Sequence, residues 1–202
     1  MPNKKSPAPT KQDRTGHIYR TAAEIMCRKG YEATSMNDIA EAVGLTKAGI
    51  YHYISGKEKL LFAIMSYAMD IVDEHVIAPA RSIPDPEERV RTIIERHANR
   101  IIEAGGAITI LLEEMYALTP AHRRIIRARK RAYFELLRDA LVDLSKEGKL
   151  AAVDPSVAAF NIFGMITFLS RWYRRDGRLT AEQVRAHVRE FGMNAVLGRA
   201  SC

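Results

Sequence analysis

A chain of 202 residues, 47% of them hydrophobic, can bury a substantial core, which excludes wholesale disorder. The sequence has neither an apolar window of membrane-spanning length nor an apolar signal stretch near its start, so we expect a cytoplasmic protein without a membrane partner. Its net charge is +7, and residues 1–60 hold ten basic against six acidic residues, which favours an anionic partner at that end. Cys27 and Cys202 do not form a disulfide framework, which fits a reducing compartment.

The N-terminal third is dominated by helical periodicity. Residues 1–13 are the exception, because they are polar and contain three prolines, and we predict a flexible basic arm there. Apolar residues then recur with a period near 3.6 in the stretches 15–29, 36–43 and 47–53. We therefore predict three helices in a first domain of residues 14–60.

The rest of the chain, residues 61–202, is predicted to be a second helical domain. Pro79 is expected to interrupt the helix that connects the two domains. The predicted helices cover 56–77, 87–104, 107–116, 120–146, 155–174 and 181–197. Because no stretch shows the period-2 pattern of a strand, the predicted fold class is all-α, with the helix-turn-helix domain first.

Residues 39–54, IAEAVGLTKAGIYHYI, have the pattern of a helix-turn-helix. Ala40 is small where the two helices cross, and Gly44 can adopt the left-handed conformation that the turn requires. Thr46 is placed to cap the second helix, and Tyr53 is expected to pack between these helices and the first. In such a unit the second helix enters the major groove of duplex DNA. A purely structural helical hairpin is the alternative.

The opening residues of that second helix are the predicted base-reading group. Lys47 can reach guanine or a phosphate, Ala48 can contact a thymine methyl group, and Gly49 lets the backbone approach closely. Tyr51 and His52 are placed to donate to phosphates. Lys57 is predicted to form a phosphate site at the start of the next helix. The complete set of predicted DNA-binding residues is Ser35, Thr46, Lys47, Ala48, Gly49, Tyr51, His52 and Lys57.

Residues 22–61 closely resemble the DNA-binding domain of the TetR family. The matching pieces are GYEATS (30–35), DIAEAVGLTKAGIYHY (38–53) and SGKEKLL (55–61). The resemblance implies that residues 14–60 are a DNA-binding domain and residues 61–202 a ligand-binding and dimerisation domain. It further implies a homodimeric repressor that is released from a palindromic double-stranded operator by a small-molecule effector. The chain departs from the family at Met26-Cys27, where a Phe and a small residue are usual, and at Ile54, which is often Phe; these positions concern core packing.

A second resemblance involves SRWYRRDGRLTAEQV (170–184). This segment is similar to the C-terminal part of a TetR branch that controls fatty-acid and steroid-ring degradation in response to acyl-CoA thioesters. Arg175-Asp176 stands where that branch tends to have Pro-Gly. The resemblance implies an acyl-CoA, or another small apolar acid, as the effector.

The helix predicted over 155–174 is apolar nearly all round, so it needs partners on two sides. We predict that one partner is its own domain and the other a second subunit; a central helix of a monomer is the alternative. The last helix is expected to complete a four-helix interface through Val184, Val188, Phe191 and Val196.

Polar and aromatic groups within apolar stretches are the candidate effector-binding residues. A buried polar group needs a hydrogen-bond partner, which can be either a ligand or the protein's own core. The predicted set is His97, Tyr116, Tyr133, Phe134, Asn161, Phe163 and Trp172, and ordinary core packing is the alternative for each. The basic run 122–131, with six Lys or Arg, is either a solvated face or a site for the phosphates of a CoA.

Two other functional classes are weighed against a ligand-responsive regulator. A helical enzyme would require catalytic, cofactor or metal motifs, and we identify no catalytic residues, no cofactor and no metal-ligand spacing in the sequence. An architectural DNA-binding protein would lack a ligand and show little sequence preference. Activation instead of repression is also open, because the direction of regulation depends on where the operator lies relative to the promoter.

Overall fold

The structure is a computed structural model that describes residues 11–104, 110 and 113–198, and its regular elements are helical. The helices are α1 Lys11–Lys29, α2 Met36–Ala42, α3 Lys47–Tyr53, α4 Lys57–Val72, α5 Ala78–Arg81, α6 Pro86–Ala104, α7 Pro120–Lys146, α8 Pro155–Trp172 and α9 Ala181–Val196. A π-helical turn, Asp73–Ile77, joins α4 to α5, and a 3-10 turn, Met115–Ala117, precedes α7. The all-α prediction is confirmed. None of the described helices combines the length and apolar character needed to cross a membrane.

Local capping explains why most helices begin where the sequence predicts. Ser35 Oγ accepts from the Asp38 N–H at 3.1 Å, and the Asp38 carboxylate accepts from the Ser35 N–H at 2.8 Å. Thr180 and Gln183 form the same reciprocal box at the start of α9. α1 differs from the prediction because it begins at Lys11, so three residues assigned to the arm are helical.

The helix that begins at Lys57 does not stop at Pro79, so the predicted interruption is wrong. The chain changes to the π-helical turn Asp73–Ile77 and then continues as α5, which contains Pro79. Proline has no N–H for the carbonyl of His75, four residues earlier. The Arg96 guanidinium on α6 donates to that carbonyl at 3.2 Å, so the acceptor is satisfied and the helix continues.

Two hydrophobic cores divide the described residues into a head and a body. The head core combines α1 to α4, as far as Met69, with Leu118 and Ile126 from the C-terminal half. The body core begins at Val72 and includes buried residues of α6 to α9. α4 therefore belongs to both cores and links them rigidly. Half of the helix predicted over 107–116 lies outside the described residues, and its predicted end differs, because residues 115 and 116 belong to the 3-10 turn.

Candidate functional site

The outer face of α3 is presented to solvent. Ile50 is the one residue of this helix that is buried. Lys47, Ala48, Tyr51 and His52 are exposed. The helix thus has the orientation that a recognition helix requires, while the individual contacts to DNA remain predictions.

The turn between α2 and α3 holds that face in place. The Leu45 N–H donates to the Ala40 carbonyl at 2.8 Å, and Gly44 has a φ of 68°. Thr46 caps α3, because its hydroxyl accepts from the Gly49 N–H at 3.0 Å. A methyl group at Gly49 would lie 3.2 Å from that hydroxyl, so glycine there keeps the cap undistorted.

Lys57 was predicted to form an open phosphate site, but its ammonium group has partners within the protein. Its Nζ donates to the carbonyls of Tyr31 at 3.0 Å and Glu32 at 3.1 Å, and it lies 4.4 Å from the centre of the Tyr31 ring. The ammonium group thus ties the start of α4 to the loop before α2. Tyr53 also differs from expectation, since it is 46% exposed.

Ser35 also has a defined structural role, as the N-cap of α2. Its hydroxyl donates to the Asp38 carboxylate at 2.6 Å, and Lys29 donates to the same carboxylate at 3.0 Å. The hydrogen bonds from Ser35, together with Lys29, hold the pKa of Asp38 well below its usual range. Ser35 remains exposed beside α2, so the DNA contact predicted for it is sterically open.

The head and body are joined by polar contacts between α4 and α7. We call the group formed by Glu58, Thr119 and His122 the α4–α7 clasp. Glu58 accepts from the Thr119 N–H at 2.9 Å and lies 2.8 Å from His122 Nδ1. The His122 ring is stacked on Phe62 with centroids 3.8 Å apart. Burial opposes ionisation of Glu58, but the hydrogen bonds from Thr119 and His122 outweigh it and lower the pKa of Glu58. Further along the helices, Arg129 pairs with Asp70 and Asp73.

The body contains a largely apolar cavity of about 540 Å³ between α4, α6, α7 and α8. This volume is within the range of small-molecule sites. The cavity is lined by Met69, Val72, His97, Lys130, Arg131, Tyr133, Phe134, Phe160, Phe163, Gly164 and Thr167.

A neutral hydrogen-bonding pair lies inside this apolar wall. Tyr133 Oη is 3.1 Å from His97 Nδ1, and the edge of Phe163 contacts both rings. Burial lowers the pKa of His97 to about 4 and raises that of Tyr133, so both are uncharged at neutral pH. Burial also lowers the pKa of Lys130, whose Nζ is 3.8 Å from Met115 Sδ. The cavity therefore offers neutral polar groups and a partly desolvated cation among apolar walls.

The structure brings together four of the seven predicted effector-binding residues: His97, Tyr133, Phe134 and Phe163. The other three lie elsewhere. Tyr116 is 67% exposed on the 3-10 turn, Asn161 lines a smaller hollow beside α9, and Trp172 is exposed at the end of α8.

Sequence reasoning missed five lining residues, Met69, Val72, Phe160, Gly164 and Thr167, and it raised Lys130 and Arg131 only as members of the basic run 122–131. Phe160, Gly164 and Thr167 follow one helical stripe with Phe163, and this periodicity was the available signal.

The basic run 122–131 is divided among several environments. His122 belongs to the clasp, and Arg123 donates to the carbonyls of Tyr116 and Leu118, each at 2.8 Å. Lys130 and Arg131 line the cavity, while Arg124 and Arg127 are exposed to solvent. The run is therefore neither one solvated face nor one phosphate site.

An unpartnered apolar face extends along the outside of α8 and includes one residue of α9. Phe160 is 66% exposed, Phe168 62% and, on α9, Phe191 70%. Val157 and Trp172 add to this face. α9 was predicted to complete a four-helix interface with a second subunit. This prediction is wrong in part, because Val184, Val188 and Val196 are buried in the body core of their own chain.

Comparison with known families gives two matches that together span most of the chain. The profile described as "Bacterial regulatory proteins, tetR family" matches residues 18–64, which contain the helix-turn-helix. The profile described as "Tetracyclin repressor-like, C-terminal domain" matches residues 84–196, which contain the cavity.

The similar proteins are transcription regulators. The repressor KstR2 of Mycobacterium tuberculosis is 25% identical, over 85% of this chain and 86% of its own. The activator FasR of Mycolicibacterium smegmatis is 24% identical, over 83% and 75%. Among solved structures, AibR in complex with isovaleryl coenzyme A and operator DNA is 40% identical, with a TM-score of 0.80, over 88% of this chain and 97% of that chain.

Proposed function

Because this chain belongs to the TetR family of bacterial regulatory proteins, we propose that it binds a palindromic operator as a homodimer and leaves the operator when an acyl-CoA fills its body cavity. It is a ligand-responsive DNA-binding transcription regulator, and we propose that it represses transcription. Since its operator lies on the chromosome, we place the protein in the cytoplasm.

One observation carries this proposal: a solvent-presented α3 and an apolar cavity are connected by a single helix, α4. α3 offers Lys47, Ala48 and Gly49 toward the major groove, with Tyr51 and His52 beside them for phosphates. At its other end α4 contributes Met69 to the cavity wall. A ligand that displaces this wall therefore acts on the helix that carries the head.

The cavity suits an apolar acyl group attached to an anionic carrier. Its walls are mostly aliphatic and aromatic, which favours an acyl chain. The His97–Tyr133 pair supplies neutral hydrogen-bonding groups for a thioester carbonyl. Lys130 and Arg131 supply positive charge for the phosphates of the carrier. The isovaleryl-CoA held by AibR, which is 40% identical, supports the same ligand class.

The apolar face of α8 is assigned to the second subunit. Large exposed apolar patches on a soluble protein mark interaction surfaces. Phe160, Phe168, Trp172 and Phe191 are exposed together on this face. A two-fold pairing of this face would present two copies of α3 to successive major grooves on one side of the duplex, as a palindromic site requires.

The decisive experiment measures operator release. Fluorescence anisotropy of a labelled operator should fall as isovaleryl-CoA or a longer acyl-CoA is added at micromolar concentration. The matching free acids and CoA alone are the controls and should release much less DNA. If a broad panel of acyl-CoAs leaves the operator bound, the ligand assignment is wrong; if no palindromic site is bound in any condition, the regulator assignment is wrong as well.

Activation is the second candidate, and the likeness to FasR, which is named as an activator, favours it. A transcription assay on the natural promoter separates the two. Loss of the protein should raise transcription if it represses and lower it if it activates.

A further inference from the structure

A second, polar pocket lies on the opposite side of α6 from the effector cavity. It has a volume of about 380 Å³ and is bounded by Arg96, Asn99 and Arg100 of α6, Arg185 of α9 and His75 of the π-helical turn. We call it the arginine pocket. It shares no lining residue with the effector cavity.

Two of its three guanidinium groups have only neutral hydrogen-bond acceptors among the described residues. Arg96 donates to the backbone carbonyl of His75 at 3.2 Å, and Arg185 donates to the amide oxygen of Asn99 at 2.9 Å. The Nε of Arg185 is buried and has no partner in the described structure. A buried donor without an acceptor is costly, so an acceptor from outside the protein would be favourable here.

Each acidic residue of the pocket pairs with an arginine outside it, and that arginine also pairs with a second glutamate, Glu190 or Glu87. Glu95 pairs with Arg189 at 3.3 Å, and Glu88 pairs with Arg91 at 3.5 Å. Neither of these arginines lines the pocket. Arg100 pairs with Glu103, so it adds less positive charge than the other two. Arg96 and Arg185 are therefore the arginines of the pocket without a carboxylate partner among the described residues.

We propose that the arginine pocket binds a phosphate group carried by a small molecule. Guanidinium groups suit phosphate because their planar N–H pairs match two phosphate oxygens. Asn99 and Thr92 line the same wall, where Asn99 donates to Glu103 at 2.9 Å and Thr92 to Glu88 at 3.5 Å, so each would have to share or exchange this bond to donate to a phosphate. A phosphate bound here joins α6, α9 and the π-helical turn that follows α4, and so adds a second ligand site to the body.

The test is calorimetric titration of the full-length protein, without DNA or acyl-CoA, with inorganic phosphate in a chloride buffer of constant ionic strength. We expect saturable binding of one phosphate per chain, with a Kd on the order of 1 mM. Arg185→Gln should weaken it about tenfold, since a charge-assisted contact is lost while an amide remains beside Asn99. Arg175→Gln removes the same charge from an exposed loop position and should bind like the wild type.

Arg96→Gln is the second variant, and its amide can still donate to the His75 carbonyl, so the helix should stay intact. Absence of saturable phosphate binding to the wild type overturns the proposal. The proposal is also overturned if Arg185→Gln and Arg96→Gln are both folded and bind phosphate as the wild type does. An equal loss of phosphate binding in Arg175→Gln overturns it too. Because no acyl-CoA is used, a failure of the proposed effector leaves this result unaffected.

Adenosine 3′,5′-bisphosphate, the nucleotide end of CoA, identifies the source of the phosphate. Tighter binding than inorganic phosphate, with the same dependence on Arg185, supports a nucleotide as the carrier. Equal or weaker binding with that dependence supports a small free phosphate or sugar phosphate.

Discussion

Lys57 is a cation at the edge of the head whose charge is used within the protein. Its ammonium group donates to two backbone carbonyls of the α1–α2 loop, and its side chain is only 25% exposed. We therefore predict that Lys57 fixes the geometry of the head and does not contact DNA directly.

Lys57→Met should therefore lower the free energy of unfolding by about 2 kcal/mol, since two carbonyls lose a charged donor. The salt dependence of operator binding should keep its slope. Urea denaturation and anisotropy at several salt concentrations measure the two quantities. Lys59→Met, which removes an exposed lysine two residues away, is the matched control. If Lys57→Met is as stable as the wild type and the slope of log affinity against log salt concentration is flatter by about one, Lys57 contacts a phosphate instead.

His97 makes the stability of the body depend on pH. Its pKa is about 4 in the folded protein and near 6.5 when exposed, so between these values the unfolded chain binds the proton. The contribution of neutral, buried His97 to the free energy of unfolding is fully present above pH 6.5 and is lost as the pH falls toward 4. Between pH 7.5 and 4.5 the free energy of unfolding should drop by roughly 2.5 kcal/mol from this group.

The check compares wild type with His97→Gln by urea denaturation at both pH values. Glutamine remains neutral and can still bond the Tyr133 hydroxyl, so the variant should lose that part of the pH dependence. Identical pH profiles for the two proteins would show that His97 does not titrate as its burial indicates.

α4 and α7 form the mechanical connection between the cavity and the head. The clasp near Glu58 and His122 sits at the head end, while Lys130 on the same α7 lines the cavity. We therefore expect a movement of α7 on ligand binding to reach the start of α4, next to α3. On this hypothesis the clasp couples the cavity to the head and does not bind the ligand.

His122→Ala should leave the affinity for acyl-CoA unchanged and reduce the coupling between effector and operator about tenfold. Calorimetry with the effector alone and operator release by anisotropy separate these two effects. Arg124→Ala, an exposed change on the same helix, is the control. Weakened binding of the effector itself in His122→Ala would contradict a pure coupling role.

The molecule as a whole presents an exposed apolar face on α8 together with one residue of α9. Phe168 is 62% exposed, although it lies among other apolar residues. If this face pairs with a second copy, a charge placed on it must be desolvated in the dimer.

Phe168→Glu should weaken dimerisation by a factor on the order of 100, because an unpaired carboxylate would be buried at the interface. Sedimentation velocity should show a monomer, and the operator footprint should shrink to one half-site or vanish. Ala128→Glu, an exposed change on α7, should remain dimeric. A Phe168→Glu protein that sediments as a dimer would refute this interface.

Features that depend on neighbouring residues could be predicted from the sequence. The caps at Ser35, Thr46 and Thr180 and the left-handed turn at Gly44 involve groups a few residues apart, so spacing alone predicts them. The helix-turn-helix and the outward face of α3 follow from the same local pattern.

Features that join distant parts of the chain were decided by the tertiary structure. Lys57 meets carbonyls 25 and 26 residues away, and the Arg96 guanidinium reaches a carbonyl 21 residues away beside Pro79. The cavity is assembled from four helices, which is why Tyr116 and Trp172 were wrongly predicted to line it and Met69 was not predicted. Residue type tells what a side chain can bind, but its partner depends on which helices pack together, and periodicity within one helix does not contain that information.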